Sequence, residues 1–269
     1  MGAFGDIMMP FKGPGGYHNL RSLALTGDDS IGYGQYAISS NPYVFTPPFT
    51  VSAWIYVTPK PPTIIGGAAS SPRYTIVANR YGGWSEARFI FIYDSASNSL
   101  SARLWHNVQW PQVITTIQSA NNSVNILNTG WHYVGFSWDG TTNANGVKIF
   151  FDNTILAQGA AAGTTLDATP SLSLAIGAIH HISSWTTGYS TDNFKGNIDQ
   201  VKIWDIAFNS ADFIQDKSIM DVTLNPNYSN LINYYDFENS QITGTTVIDQ
   251  VGSVDLTLIN GAVNSPLVP

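Results

Sequence analysis

Alternation of apolar and polar residues with a period of two is the feature of this sequence that most constrains its fold. In residues 49–57 (FTVSAWIYV), every second residue is apolar and fits a buried face, while Thr50 and Ser52 lie between them. A β-strand turns successive side chains to opposite faces, so this pattern predicts a half-buried strand. Similar strands are predicted at residues 87–93, 99–105, 131–138, 147–151, 154–157, 172–176, 198–204, 231–237 and 254–259.

Turn-forming residues separate these segments. The sequence Asp94-Ser-Ala-Ser-Asn98 predicts a hairpin turn between two of the strands, and Asp139-Gly140 and Asp152-Asn153 predict further turns. No long stretch has the period of a helix. The sequence therefore predicts an all-β sandwich or jelly roll.

One short helix is predicted at residues 210–215. Its N-cap is predicted to be Asn209 or Ser210, because their side chains can accept hydrogen bonds from the first turn. Phe213 and Ile214 are predicted to face inward.

Charge and cysteine content exclude several classes of function. Charged residues make up only 11% of the 269 residues, so neutral polar side chains must cover much of the surface. Such a surface suits a protein that lies against glycan or another protein. The net charge of -7 and the eleven scattered basic residues argue against a nucleic-acid binder. The absence of cysteine excludes disulfides, thiolate metal sites and cysteine nucleophiles.

Residues 1–20 are rich in glycine and proline and are predicted to form an extended arm before one domain at residues 21–269. Met8, Met9 and Phe11 are poor choices for a solvated tail. The arm either packs on its own domain or binds partner subunits, and the sequence leaves both open. The N-terminus lacks the pattern of a signal peptide, and no run of residues is apolar enough to predict a membrane span.

Four segments resemble, in their order along the chain, the laminin-G-like domains of the concanavalin-A-like lectin/glucanase superfamily. They are residues 22–29 (SLALTGDD), 49–55 (FTVSAWI), 130–134 (GWHYV) and 194–204 (FKGNIDQVKIW). With the tail segments, the resemblance covers roughly residues 20–263. It implies a concanavalin-A-like jelly-roll β-sandwich of two antiparallel sheets. The fold alone does not fix a function, because it hosts hydrolases, lectins, adhesion modules and structural proteins.

The sequence predicts that the protein is not an enzyme. Glycoside hydrolases need two carboxylates that flank the scissile bond, and the glucanase relatives carry them as Glu-x-Asp-x-x-Glu. This chain has two glutamates, Glu86 and Glu238, in unrelated segments. A pair of aspartates stays open. There is no Gly-x-Ser-x-Gly motif. His132 lies inside a predicted strand and resembles a residue that the family buries, so it is predicted to be a hydrogen-bonded core histidine.

The resemblance also implies one structural calcium ion. Its predicted ligands are Asp28 or Asp29 in the opening turn and Asp199 in the closing strand, supplemented by backbone carbonyls, since calcium needs several oxygen ligands. Gln200 stands where the family often has a second acid. The alternative is that Asp199 caps loop amides and the two neighbouring aspartates only form a turn.

Aromatic residues near two predicted loops are candidates for binding glycan. Indole rings can stack on the C–H faces of sugars while amide and guanidinium groups bind hydroxyls. The alternative is that these rings only close the ends of the sandwich. The candidates are Tyr81, Trp84, Arg103, Trp105, Asn107, Trp110, Trp185 and Tyr189.

Together these features predict a non-catalytic structural or binding protein, a surface or decoration component of a larger assembly such as a virion. Its partners would be other protein subunits, bound through the arm. The alternative is a free carbohydrate- or receptor-binding, lectin-like module of a bacterial or extracellular protein. In both cases the predicted location is a virion surface or another extracellular assembly.

Overall fold

A computed structural model describes residues 19–27, 34–61, 63–65, 68–70, 72–80, 87–107, 113–168, 172–183 and 186–269. Within these ranges the chain forms one α-helix, α1 (Ser210–Ser218), and three short 3₁₀ helices, Val222–Leu224, Tyr228–Asn230 and Asn239–Gln241. The strands are β1 (Ser22–Thr26), β2 (Tyr36–Ser39), β3 (Phe49–Val57), β4 (Thr63–Ile65), β5 (Ala68–Ser70), β6 (Arg73–Arg80), β7 (Ala87–Asp94), β8 (Ser99–Asn107), β9 (Val113–Gln118), β10 (Trp131–Trp138), β11 (Val147–Phe151), β12 (Thr154–Gly159), β13 (Leu174–Ile176), β14 (Ile179–Ser183), β15 (Thr186–Thr191), β16 (Lys195–Trp204), β17 (Leu231–Tyr235), β18 (Ile242–Thr243), β19 (Thr246–Val247), β20 (Leu256–Ile259) and β21 (Val263–Ser265).

The strands form two large antiparallel sheets. Sheet 1 has the order β12-β11-β10-β3-β16-β1-β21, with β17 also paired to β16. Sheet 2 has the order β18-β19-β20-β2-β13-β6-β7-β8-β9. Two short hairpins, β4–β5 and β14–β15, pair only within themselves. The predicted jelly-roll sandwich of two antiparallel sheets is confirmed.

The main core lies between the two sheets and follows the predicted alternation. Val51, Ala53 and Ile55 on β3 are each at most 1% exposed and belong to one cluster of buried residues drawn from both sheets. Aromatic rings join the sheets, with Phe49 of sheet 1 and Phe89 of sheet 2 having their ring centres 5.9 Å apart. Burial of this apolar surface is the main driving force for the sandwich.

Helix α1 covers the outer face of sheet 1. Asn209 is the N-cap, and its side chain accepts hydrogen bonds from Ala211 N and Asp212 N. Phe213 is buried as predicted and stacks on Phe150, with ring centres 4.6 Å apart. The prediction for Ile214 was wrong, because its side chain is 39% exposed. Sheet 1 is therefore buried on both faces near the helix.

A buried ion pair fixes the helix to the sheet. Lys202 Nζ on β16 lies 2.8 Å from Asp216 Oδ1 on α1, and both side chains are fully buried. The same carboxylate accepts hydrogen bonds from Asn225 Nδ2 at 3.1 Å, from Ser52 Oγ at 3.2 Å and from the Tyr133 hydroxyl. Every lone-pair direction of Asp216 is therefore engaged by a donor from a different part of the chain.

A second buried carboxylate organises the loop before β20. Asp249 is 6% exposed, and one of its oxygens lies 3.0 Å from Tyr234 N on β17. Its other donors are the backbone N–H groups of Val251, Gly252 and Val254 and the side-chain amide of Asn233. One side chain thus binds three backbone N–H groups of this loop and joins the loop to β17 of sheet 1.

No helix among the described residues is long and apolar enough to cross a bilayer.

Candidate functional site

The outer face of sheet 2 holds two of the predicted glycan-binding residues. Arg103 pairs with Ile90 on one side and with Thr116 on the other, while Trp105, two residues along β8, pairs with Ile114. Since residues two apart in a strand point to the same face, both side chains project away from the core. The strands that flank β8 at this point are β7 and β9.

Trp105 does not offer a free ring to solvent. Its side chain is 5% exposed and belongs to a small apolar cluster with Ile90, Ile92 and Ile179, outside the main core. The guanidinium carbon of Arg80 lies 5.8 Å from the centre of its ring. The accessible part of this face is therefore built around Arg103 and the exposed strand β9, and the aromatic platform stays a prediction.

Arg103 is half-buried, and its Nε atom is buried without a hydrogen-bond partner. Two further buried polar atoms on this sheet also have no partner, the hydroxyl oxygens of Thr75 and Ser101. Burial lowers the pKa of Arg103, and the nearby charge of Arg73 adds to this effect, while Asp192 and Asp94 oppose it. An unpaired buried donor costs stability, so such groups mark a place where a ligand can supply the missing partner.

An exposed strand borders this site. On β9, Thr116 and Gln118 are exposed and lie beside Arg103 and Ser101 respectively, and Ile114 is 40% exposed. At the other end of the face, Arg73 lies 3.6 Å from Asp94 and 3.9 Å from Asp192. Thr116 and Gln118 were missed by the sequence analysis. The alternating pattern of residues 113–118 could have predicted a strand beside β8 and so added both residues to the predicted site.

Several predicted residues lie outside what the structure describes. Asn107 and Tyr189 belong to β8 and β15, but their side chains are not among the described parts. The same holds for the whole residues Tyr81, Trp84, Trp110 and Trp185, for the calcium candidates Asp28 and Asp29, and for Met8, Met9 and Phe11 of the predicted arm. Their roles in binding glycan, calcium and partner subunits stay predictions.

Asp199 is fully buried on β16. Its carboxylate accepts hydrogen bonds from Asn19 Nδ2 at 2.9 Å and from Gln200 N at 2.7 Å. Burial raises the pKa of Asp199 well above its usual range; these two hydrogen bonds oppose the rise, and the charges of Asp236 and Glu238 add to it. A buried carboxylate that no cation neutralises favours either a proton or a bound cation.

The strand register separates the two halves of the predicted calcium site. On β1, Leu23 pairs with Ile198, and Thr26 pairs with Lys195. Gly27 therefore lies at one end of β1, and Asp199 lies opposite Ser22 at the other end, about 17 Å away by strand geometry. Among the described residues, no group of three or more acidic or histidine side chains has the arrangement of a metal site.

Glu238, one of the two glutamates, has a structural role. Its Oε1 accepts hydrogen bonds from Leu20 N at 2.6 Å and Arg21 N at 2.9 Å, and so holds the chain as it enters β1. Burial raises the pKa of Glu238, although these two hydrogen bonds oppose the shift. Glu86 lies outside the described residues.

His132 is hydrogen-bonded at both ring nitrogens. Its Nδ1 lies 2.9 Å from Asp152 Oδ2, and its Nε2 lies 2.9 Å from Thr129 Oγ1. Burial tends to raise the pKa of Asp152, but hydrogen bonds from His132 and Tyr133 N and the charge of Lys217 outweigh burial and lower it. His132 is therefore hydrogen-bonded as predicted, but its side chain is 19% exposed, so it is not the fully buried core residue that was expected. Its contacts tie β10 to the turn after β11.

Comparison with known protein families gives one match. A model of the family described as the concanavalin A-like lectin/glucanases superfamily matches residues 31–213, more than half of the chain. No curated protein sequence matches the chain.

Several solved structures share the fold. A proposed carbohydrate binding protein from Bacteroides ovatus has a TM-score of 0.61 at 17% identity over 93% of this chain, which spans 60% of that protein. A heptameric SAP-like pentraxin from Limulus polyphemus has a TM-score of 0.58 at 11% identity, over 92% of this chain and 95% of its own. The CBM40 module of a Ruminococcus gnavus IT-sialidase, bound to α2,3-sialyllactose, has a TM-score of 0.51 at 12% identity, over 73% of this chain and 97% of its own.

Proposed function

Because this chain belongs to the concanavalin A-like lectin/glucanases superfamily, we propose that it is a non-catalytic, lectin-like module that binds carbohydrate. The observation that carries the proposal is the half-buried Arg103 with its unpartnered Nε on the outer face of sheet 2. Helix α1 covers part of the other outer face, which leaves less of it for a ligand. The sialyllactose bound to the Ruminococcus module, and the description of the Bacteroides protein as a proposed carbohydrate binding protein, support the same class of ligand.

The guanidinium group of Arg103 suits an oxygen-rich ligand. It carries five N–H donors in a planar fork and matches a carboxylate or a pair of sugar hydroxyls. Thr116 and Gln118 on the neighbouring strand would bind further hydroxyls, while the apolar side chain of Ile114 would contact the face of a sugar ring. The absence of catalysis is part of the proposal and rests on the two glutamates, of which Glu238 is engaged by the backbone.

Glycan binding can be tested by titrating the full chain with sialyllactose and with lactose, which differ by one acidic sugar. We expect Arg103→Ala to weaken binding by tenfold or more, because a hydrogen bond from a charged donor contributes about 1.5–3 kcal/mol. Arg103→Lys should retain little of the wild-type affinity, since lysine lacks the planar group of donors that arginine has. A preference for sialyllactose would identify an acidic sugar as the ligand.

Lys148→Ala is the matched control, because Lys148 lies on β11 of the other sheet and is part-exposed. It should leave affinity unchanged. A glycan array that detects no binding by the wild-type chain, or equal binding by Arg103→Ala, would contradict the proposed function.

We further propose that one calcium ion binds at Asp199. Asn19 Oδ1, on the side chain that already donates to this carboxylate, is a buried oxygen without a partner. A hard cation would neutralise Asp199 and take this oxygen as a ligand. Asp28 or Asp29, the other predicted ligands, would have to reach Asp199 from the far end of β1.

The calcium proposal predicts that EDTA lowers the melting temperature by several degrees and that added calcium restores it, because a ligand of the native state stabilises it. In Asp199→Asn both effects should disappear, since the substitution removes the negative charge that calcium requires. Differential scanning calorimetry measures both. A melting temperature that EDTA leaves unchanged would exclude a stabilising calcium ion.

A role in a larger assembly, such as a virion surface, stays a prediction. It rests on the arm at residues 1–20, of which only Asn19 and Leu20 are described. Leu20 is 49% exposed, and Leu267, close to it in the fold, is 42% exposed. These two apolar side chains support a contact with other subunits near the point where the arm joins the domain.

A further inference from the structure

A polar pocket of about 290 Å³ lies toward the opposite edge of sheet 2 from Arg103. Its walls come from the end of β2, from β19 and β20, and from the loop that precedes β20. The polar side chains that line it are Ser40, Asn41, Thr246, Ser253, Asp255 and Thr257. The pocket is therefore built from four hydroxyls, one carboxamide and one carboxylate.

The pocket opens on the same face of sheet 2 as Arg103. Leu256 and Leu258 on β20 are buried in the main core, so Thr257 between them points outward. Its Oγ1 lies 3.4 Å from Ser40 Oγ, and Thr257 pairs with Thr246 on β19. Five strand-to-strand steps separate β20 from β8 in the sheet order, which places the pocket about 24 Å from Arg103.

The loop that forms one wall is held rigidly. Asp249 binds the backbone N–H groups of this loop, including Val254 N at 3.2 Å. Asp255 Oδ1 in turn accepts a hydrogen bond from Asp249 N at 2.9 Å, and the Tyr235 hydroxyl donates to Val254 O at 2.6 Å. Ser253 and Asp255 are therefore fixed before any ligand arrives, which reduces the entropy lost on binding.

The chemistry of the pocket matches a neutral sugar. Hydroxyls donate and accept, a carboxylate accepts from two neighbouring hydroxyls, and a carboxamide does both, which is the set needed to bind a ring with several hydroxyl groups. The lining contains no lysine or arginine to attract an anion. The volume is at the lower end of that of ligand pockets, so it admits one small molecule.

We propose that this pocket binds one neutral monosaccharide residue, as a second glycan subsite on the outer face of sheet 2. The subsite goes beyond the site at Arg103 and does not depend on it. Thr246, Ser253, Asp255 and Thr257 lie beyond residue 213, where the family match ends, so the subsite belongs to the tail of this chain. A second subsite on the same face would raise the avidity for branched or repeating glycans.

The test uses the ¹⁵N-labelled full chain and four probes: D-glucose, D-galactose, D-mannose and N-acetyl-D-glucosamine at millimolar concentration. We expect at least one sugar to shift the amide signals of Ser40, Ser253 and Thr257. Thr257→Val removes one hydroxyl and keeps the shape of the side chain. It should lower the affinity for that sugar about three- to tenfold, as expected for the loss of one neutral hydrogen bond. Ser253→Ala, in the exposed part of the loop, provides a second variant should Thr257→Val fold poorly.

Two controls separate this proposal from the site at Arg103. Thr116→Val, the same substitution on β9, and Arg103→Ala should both leave binding in the pocket unchanged. The subsite is ruled out if none of the four sugars shifts these amides, or if the shifts persist with equal affinity in both Thr257→Val and Ser253→Ala. If the wild-type chain binds a sugar in the pocket but no glycan at Arg103, the proposed function at Arg103 is contradicted and the subsite proposal still stands.

Discussion

Replacing Lys202 by methionine is expected to lower the free energy of unfolding by about 3–5 kcal/mol, because it leaves a buried carboxylate without its counter-ion. Lys202 and Asp216 are fully buried and joined at 2.8 Å. Methionine fills nearly the same volume, so the loss reports on the charge and not on a cavity. Urea unfolding followed by tryptophan fluorescence measures it.

The control for this prediction is another lysine of the same region. Lys217 on α1 lies 3.4 Å from Asp152, but its side chain is 24% exposed. Lys217→Met should cost less than about 1 kcal/mol, because water screens a surface ion pair. If both variants lose the same free energy of unfolding, the buried ion pair contributes no more to stability than the part-exposed pair, and the prediction is wrong. The double variant Lys202→Met/Asp216→Leu should recover part of the loss, since it buries no charge.

Replacing Asp249 by alanine is expected to lower the free energy of unfolding by about 3–4 kcal/mol, because it leaves two buried and three part-buried N–H donors without their acceptor at once. The donors come from the loop between residues 249 and 254 and from Asn233 and Tyr234 on β17. Asp249→Asn should cost less, since its carbonyl oxygen still accepts from some of them.

The matched control is Asp221, which accepts from Thr223 N at 3.1 Å at an exposed 3₁₀ helix. Asp221→Ala should lower the free energy of unfolding by about 1 kcal/mol, which is the usual effect of removing a helix N-cap. Asp249→Ala should also weaken sugar binding in the pocket at β20, because the same carboxylate orders the pocket wall. A loss of stability no larger than that of Asp221→Ala would contradict the central role of Asp249.

The local pattern predicts many strands well and fails where the pattern is interrupted. Strand β10 occupies residues 131–138 as predicted, because its alternation is unbroken. Strand β6, in the middle of sheet 2, was missed. Its register shifts between Thr75 and Val77, so Ile76 and Val77 are both buried in the main core and the period of two is lost.

Contacts distant in sequence account for the other failures. Ile214 was expected to face inward with Phe213, but the inner face of α1 contains Asp216, whose burial depends on Lys202 from another strand. No local pattern reveals that a charged residue will find such a partner. The prediction of the inner face of the helix was therefore right at Phe213, wrong at Ile214, and did not include Asp216.

The candidate site shows the same limit. Arg103 and Trp105 are two residues apart on β8, so they share one face of the strand by strand geometry alone. The sequence left open whether the ring of Trp105 binds glycan or is buried, because its burial depends partly on Ile179, more than seventy residues later. Asn19 was missed beside Asp199 for the same reason, since 180 residues separate them.

The position of β1 has a consequence for how this molecule folds. Hydrogen bonds of the Ser22 side chain reach Asn197, 175 residues along the chain, and Leu267, 245 residues along it. Contacts between residues so far apart in sequence form slowly, because closing the long loop between them costs entropy before any contact compensates for it. During synthesis, β1 therefore stays unpaired until both of its partner strands have been made, and until then its edges can pair with other chains.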